Sequence, residues 1–242
     1  MNSTIKIALI TGGNRGIGFE ICRQLSRRGF IVLLGSRDFC RGEAAARELQ
    51  AEGLDVRTVQ VDMNDAATFR SLYDLITSDY GHLDVSINNA GFASDWDYDA
   101  TDVPIKILRD TLESNFFGLV ELTQILLPLI RKSSSGRIVN QSSRLGSLTL
   151  HSTPDSGLED LKPFAYNTSK TAVNAFTVHL AAATKGTRIK VNSANPGDVA
   201  TAANPLGMLT VEEGARTAVW LATLPEDGPS GGKFHGLETT PW

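Results

Sequence analysis

Short apolar runs alternate with longer stretches of helical period from one end of the chain to the other. The runs at 5–10, 30–34, 55–61, 83–87, 137–141 and 188–194 are rich in Ile, Val and Leu. They show little alternation of apolar and polar positions, as strands buried on both faces do. A weaker run covers 232–235. Between the runs, helical spacing extends over 16–28, 41–52, 65–80, 104–132, 164–185 and 211–223. Gly29, Gly53, Gly81 and Gly186 follow four of these stretches, where a left-handed cap is often needed. This alternation predicts an α/β fold, a doubly wound parallel sheet with helices on both faces. No Pro/Ser-rich linker or charge block interrupts 1–242, so the chain reads as one domain. The turn-rich run Ser152-Thr-Pro-Asp-Ser-Gly157 reads as part of a loop inserted ahead of the 164–185 helix.

Composition narrows the function classes. A net charge of -4 with no basic run argues against a nucleic-acid binder. Cys22 and Cys40 lack metal spacing and read as reduced thiols. The four histidines are scattered, so no metal is expected. The chain opens without the apolar core of a secretory signal, and no run reaches the length of a membrane span. The expected location is the cytoplasm.

The first candidate chemistry lies between the first strand and the first helix. Thr11-Gly12-Gly13-Asn14-Arg15-Gly16-Ile17-Gly18 is a glycine-rich turn opening a helix. Such a turn lets backbone N–H groups approach a pyrophosphate at a helix N-terminus. The spacing differs from G-x-G-x-x-G. At the end of the second strand, Ser36-Arg37-Asp38 bears on cofactor choice. Arg37, with Arg15, suits the 2′-phosphate of NADP, whereas Asp38 could serve the free ribose of NAD.

The second is Tyr166 with Lys170, four residues apart and so on one helix face. An ammonium beside a phenol favours the phenolate and would lower the tyrosine pKa from about 10. The bland alternative is a solvated lysine beside a half-buried tyrosine. Trp96 could face a substrate or cover the surface, and His151 reads as a loop histidine. Leu119, Leu122, Leu126 and Ile130 read as core or subunit interface.

Taken together, the chain resembles the short-chain dehydrogenase/reductase family, in its non-extended, carbonyl-reductase-like branch, over nearly its whole length. Thr11-Gly12-x-x-x-Gly16-x-Gly18 matches the family's coenzyme loop, and Asp62-Met63 its adenine-contacting site. Asn88-Asn89-Ala90-Gly91 matches the motif after the fourth strand, and Asn115 the helix asparagine. Ser143 matches the active-site serine, chosen over Ser142 because it stands three residues before Gly146. Tyr166-x-x-x-Lys170 matches the catalytic pair, and Pro196-Gly197-x-Val199-x-Thr201 the loop after the sixth strand.

The resemblance implies a Rossmann-fold, NADP(H)-dependent reduction of ketones or aldehydes, with Asn115, Ser143, Tyr166 and Lys170 as the catalytic set. Ser143 would bind the carbonyl oxygen and Tyr166 donate the proton. Lys170 would tune Tyr166 and bind the nicotinamide ribose, and Asn115 hold a water linking Lys170 to solvent. Gly12, Asn14, Arg15, Gly16, Ile17, Gly18, Arg37, Asp62, Met63, Asn89, Ala90, Gly91, Tyr166, Lys170, Pro196, Gly197, Val199 and Thr201 would contact the cofactor. The alternatives are an NAD-dependent alcohol dehydrogenase and a nucleotide-sensing protein without turnover. Ser143 and Tyr166 stand farther apart than is usual in the family, the stretch 202–209 is short, and Asp198 replaces a common aromatic. Substrate loops are expected near 92–103, 145–163 and 198–210, around an open pocket that admits bulky or aromatic ketones. A homodimer or homotetramer paired through the long helices is implied, with a monomer as the alternative.

Overall fold

The computed structural model describes residues 5–242. Residues 1–4, which enter the reading of the chain's start, lie outside it. Eight strands form one sheet in the order β3-β2-β1-β4-β5-β6-β7-β8. The central strands are β1 (Lys6–Thr11), β2 (Phe30–Ser36), β3 (Val56–Gln60), β4 (Val85–Asn88), β5 (Arg137–Gln141) and β6 (Lys190–Ala194). They pair in parallel, as does β7 (Lys233–His235) with β6. The exception is β8 (Glu238–Thr239), antiparallel to β7 and not anticipated from the sequence. Two exposed polar residues carry no apolar signal for a strand.

The central strands are buried because helices cover both faces, whereas edge strand β3 alternates, with Val56 and Val59 buried and Arg57 and Gln60 exposed, contrary to the expectation for the run 55–61. On one face α1 (Gly16–Ser26), α2 (Phe39–Ala51) and α8 (Val211–Ala222) pack on Ala8, Ile10, Val32, Val85 and Val139. On the other, α3 (Ala66–Asp79), α5 (Gly118–Ile130) and α7 (Phe164–Ala183) pack on Ile7, Leu9, Leu33, Ile138 and Val191. Leu119, Leu122, Leu126 and Ile130 belong to this second core. Gly29, Gly53, Gly81 and Gly186 all take positive φ after their helices. The strand order reverses at β1/β4, and the C-terminal strand ends there open into a crevice, the usual ligand position in doubly wound sheets.

Two sequence expectations need correction. The stretch 104–132 is not one helix. It divides into α4 (Ile105–Leu112), a π-helical turn at Glu113–Phe117, and α5. One wide turn leaves the apolar period nearly unchanged, so periodicity alone cannot register it. Within it the Gly118 N–H bonds to the Glu113 carbonyl, five residues back. The segment 151–163 is not wholly loop either. It begins at the end of α6 (Leu148–Ser152), capped by the Ser147 hydroxyl, which accepts the Leu150 N–H. Leu158 anchors the remainder at 1% exposure.

Gly118 shows how tightly the π-turn is seated. A Cβ there would land on the Met63 carbonyl. Ala is normally about 1 kcal/mol better than Gly inside a helix, but overpacking costs about 1–3 kcal/mol. Here the obstacle is backbone rather than a flexible side chain, so overpacking wins. Gly118→Ala is expected to lower the unfolding free energy by about 1–3 kcal/mol in urea denaturation. A more stable variant would show that the α5–Met63 contact yields easily.

Candidate active site

α7 places the Tyr166/Lys170 pair by hydrogen-bonding one face onto β5. Lys170 Nζ donates to the Gln141 carbonyl at 2.8 Å. One turn on, Asn174 Oδ1 accepts from Ser142 Oγ at 2.6 Å. Three residues further, Thr177 Oγ1 accepts from Asn140 Nδ2 at 2.9 Å. Spacings of four and three keep these groups in line along the helix. Asn140 also accepts from Asn88 Nδ2 at 2.8 Å, which extends the polar seam to β4. All of it is buried, where an unpaired polar group would cost about 1–3 kcal/mol.

Ser143 stands just beyond β5. Its Oγ accepts the Leu145 N–H at 3.1 Å and caps a short 3-10 turn, Arg144–Gly146. Capping therefore orients the hydroxyl while leaving its own proton free to donate. Ser142 differs, its hydroxyl being engaged by Asn174 of α7. The turn is fastened to α7 by Thr171 Oγ1 and Asn174 Nδ2, both donating to the Gly146 carbonyl. A Cβ at Gly146 would come within 2.8 Å of Lys170 Cβ, so only glycine allows this approach. The chain's end closes over the same region, where the Trp242 carbonyl accepts from Ser147 Oγ at 2.8 Å.

The solvated-lysine alternative fails, since Lys170 is 4% exposed. Burial pulls its pKa down from 10.5 to about 8. Tyr166 is half-buried, with its ring 6.2 Å from Trp96 and Lys170 Nζ 5.6 Å from the ring centre. Burial raises the Tyr166 phenol above 10, and hydrogen bonding to Ser143 brings it partly back. The expectation that Lys170 lowers Tyr166 is thus not met in the protein alone. The ammonium is tied to the Gln141 carbonyl, and loss of hydration dominates.

Asn115, inside the π-turn, is fully buried. Its Nδ2 donates to the Phe92 carbonyl at 2.8 Å and to Ser169 Oγ at 3.1 Å, while Oδ1 accepts the Phe92 N–H at 3.0 Å. Both amide protons are engaged, so only a lone pair of Oδ1 remains for a water. Asn115 is first a bracket that holds the 91–96 loop.

The fold brings part of the expected cofactor set together at the strand ends. Gly12 and Gly16 have φ of +64° and +56°, as a tight phosphate turn requires. A Cβ on Gly16 would point at Thr201 Cγ2 at 3.8 Å, so the glycine turn and the loop after β6 face each other across a narrow crevice. Thr11 Oγ1 accepts from the Asn89 and Ala90 N–H groups, and Asn89 Nδ2 donates to the Thr11 carbonyl at 2.9 Å. Val199 is buried, and Gly197 has φ of +84°. The Asp62 side chain accepts the Asn64 N–H, and Met63 is buried.

A cleft of about 560 Å³ runs beside the turn, lined by Asn14, Arg15, Phe19, Arg41, Ala44, Ala45 and Glu48. Arg37 is exposed at the end of β2 but outside this lining. Arg41, which the sequence reading missed, supplies the second cation. It lies in the first turn of α2, where no motif marks it. Asp38 is already engaged, accepting the Arg41 N–H at 3.1 Å and pairing with its guanidinium at 3.4 Å. A crevice of this form, with open glycine turns and cations beside it, fits a phosphorylated dinucleotide.

The fold and this constellation define a dinucleotide-binding oxidoreductase with a serine–tyrosine–lysine site. The family model for short chain dehydrogenase matches residues 6–206, and the chain belongs to that family. It is 38% identical over 272 aligned positions to Carbonyl reductase [NADPH] 1 of Homo sapiens, covering 96% of both chains. Among solved structures, salutaridine reductase from Papaver somniferum superposes with TM-score 0.83 at 33% identity, over 95% of this chain and 99% of that one. A short chain dehydrogenase from Shigella flexneri complexed with NADP superposes with TM-score 0.82 at 26% identity, over 97% and 98%. Among the described residues, no helix is long and apolar enough to cross a membrane.

A lysine whose pKa falls on folding binds fewer protons in the native state than in the unfolded chain between pH 8 and 10.5. Its penalty is therefore present below pH 8 and is relieved as pH rises to 10.5, by at most about 3 kcal/mol. The stability gap between the parent and Lys170→Met, which leaves the Gln141 carbonyl without its donor, is expected to shift in the parent's favour across that window. Urea denaturation at pH 7, 9 and 10.5 checks this. A pH-independent gap would contradict it.

Proposed function

We propose that this chain catalyses NADPH-dependent reduction of ketones or aldehydes to alcohols, reversibly, with Tyr166 as proton donor. The observation that carries this reading is the seating of Ser143, Tyr166 and Lys170 together at the C-terminal end of β5. Ala90 and Gly91 link this group to the glycine turn: a Cβ on Gly91 would meet Lys170 Nζ at 3.4 Å, and one on Gly12 would meet Ala90 Cα at 3.1 Å. Bound NADPH supplies the hydride. The protein's work is to hold the carbonyl oxygen and to move one proton.

Ser143 donates its free hydroxyl proton to the carbonyl oxygen, leaving Leu145 N–H on its acceptor side. Tyr166 donates its proton to the same oxygen as negative charge develops there. A phenol held above its ordinary pKa stays protonated for reduction. Lys170, brought down to about 8, can return a proton to the phenolate near neutral pH. Donors fixed before reaction stabilise the developing alkoxide without reorganisation. Arg15, Arg37 and Arg41 are the cations for a 2′-phosphate, and the engagement of Asp38 with Arg41 weighs against the NAD alternative. The intact tyrosine–lysine pair weighs against a non-catalytic binding role.

Trp96, 55% exposed, lies against the ring of Tyr166 and offers an aromatic surface next to the proposed proton donor. With Leu206 and Met208 exposed on the short loop after Thr201, this favours bulky or aromatic carbonyls. That alignment spans 272 positions against 242 residues in this chain, so the human enzyme carries segments absent here. Exposed Phe117 and Val178, on the helices through which the family pairs, are in keeping with a homo-oligomer. We place the protein in the cytoplasm, since Cys22 and Cys40 are both free thiols.

Tyr166→Phe should lower kcat for carbonyl reduction by at least about 10²-fold, the usual scale for a lost general acid. Its affinity for NADPH, read by fluorescence titration, should change little. Undiminished turnover would refute the assigned acid. Arg41→Ala should raise the KM for NADPH by about tenfold or more, from a lost charge-assisted contact of about 1.5–3 kcal/mol. The KM for NADH should hold or fall, because Asp38 is released. Equal weakening for both cofactors would exclude a 2′-phosphate role. In a panel of carbonyls, bulky aromatic ketones should be turned over, and activity confined to small aliphatic ketones would contradict the open pocket.

A further inference from the structure

The loop after β4 contains a buried carboxylate that neither the motifs nor the mechanism uses. Asp95 has no exposed surface. Its Oδ2 accepts the Ala165 N–H at 2.5 Å and the Tyr166 N–H at 3.3 Å. These amides lie in the first turn of α7, where backbone donors lack helical partners. The residue at the helix's own N-cap, Pro163, supplies no side-chain cap. A residue about seventy positions away in sequence therefore performs that task, on the amide of Tyr166 itself.

The neighbours of Asp95 tie the same loop to the rest of the site. Three residues earlier, the Phe92 N–H donates to Asn115 Oδ1 and the Phe92 carbonyl accepts from Asn115 Nδ2. One residue later, Trp96 packs on the Tyr166 ring. The short strap 92–96 thus joins Asn115 at one end to Tyr166 at the other. The second carboxylate oxygen, Oδ1, is buried and has no hydrogen-bond partner among the described residues. A half-paired buried carboxylate is a poor choice for stability alone. Its use here is better explained by what Oδ2 holds.

We propose that Asp95 is a positioning residue for the reaction. By accepting the first-turn amides of α7 it fixes the height and rotation of Tyr166 against Ser143, and it fastens the Trp96 ring to the proton donor. This rests on the reading of Tyr166 as the acid. Asp95 touches no reacting atom, so its loss should leave cofactor binding intact and impair turnover.

The test compares Asp95→Ala, Asp95→Asn and Tyr166→Phe with the parent protein. Asp95→Ala should lower kcat by about 10- to 100-fold, the scale of a misplacement near 1 Å. Its Kd for NADPH, by fluorescence titration, should stay within about twofold, a change worth under 0.5 kcal/mol. Asp95→Asn keeps an oxygen for the two amides and should restore most of kcat. If circular dichroism shows Asp95→Ala unfolded, Asp95→Ser, whose hydroxyl is shorter, takes its place. Unchanged kcat in the folded Ala or Ser variant overturns the proposal. So does loss of NADPH affinity in step with kcat, which marks a merely structural role. An Asn variant as impaired as Ala overturns the acceptor assignment. An inactive Tyr166→Phe beside a fully active Asp95→Ala defeats this inference alone, whereas a fully active Tyr166→Phe defeats the reading it rests on.

Discussion

The hydrogen-bonded seam between α7 and β5 is the constraint on which the site depends. Lys170, Asn174 and Thr177 lie along one helix face and meet Gln141, Ser142 and Asn140 of the strand end. Each partner is buried, so a slip of the helix would leave several polar groups unpaired at once. That makes the register of α7 discrete. Tyr166 is placed one turn before Lys170 by the same register, and Ser143 two residues after Gln141. The strand and helix that carry the proposed catalytic groups are thus joined to each other before any ligand is considered.

The seam has an electrostatic consequence. It holds an ammonium in a buried position, satisfied by a carbonyl and not by a carboxylate, and desolvation draws that lysine down to about 8. The adjacent phenol moves upward for the same reason. Two groups whose ordinary values are about half a unit apart are separated in opposite directions by one environment. The phenol is kept as an acid and the lysine is made able to exchange its proton near neutral pH. A positively charged nicotinamide in the oxidised cofactor would add the charge that favours phenolate in the reverse direction.

Much of this was legible in the sequence, for identifiable reasons. Strands at the sheet centre write themselves as apolar runs, and edge strand β3 was still legible from Val56, Val59 and Val61, although its Arg57 and Gln60 are exposed. Glycines with positive φ marked the helix ends. Tyr166 and Lys170 were legible because their spacing is local to one helix, and Ser143 because the family it resembles sets its serine three residues before a glycine, here Gly146. What stayed hidden depends on contacts between distant segments. The π-turn around Asn115 preserves helical periodicity. Arg41 becomes a crevice cation only when α2 packs beside the glycine turn. Asp95 reaches amides near Tyr166 across the fold, in a loop without periodicity. The direction of the Tyr166 shift was missed because sequence spacing shows the neighbouring charge and not the loss of water.

The central claim is that one buried site separates the two proton affinities and that the oxidised cofactor reverses the balance at Tyr166. Ultraviolet difference titration of phenolate absorbance tests it most directly, comparing the parent protein and Tyr166→Phe with and without NADP+. The account predicts one tyrosine titrating above its ordinary value of about 10 in the protein alone. That transition should move well below 10 when NADP+ binds and be missing from the variant. A titration that NADP+ leaves in place, or that persists in Tyr166→Phe, would contradict it.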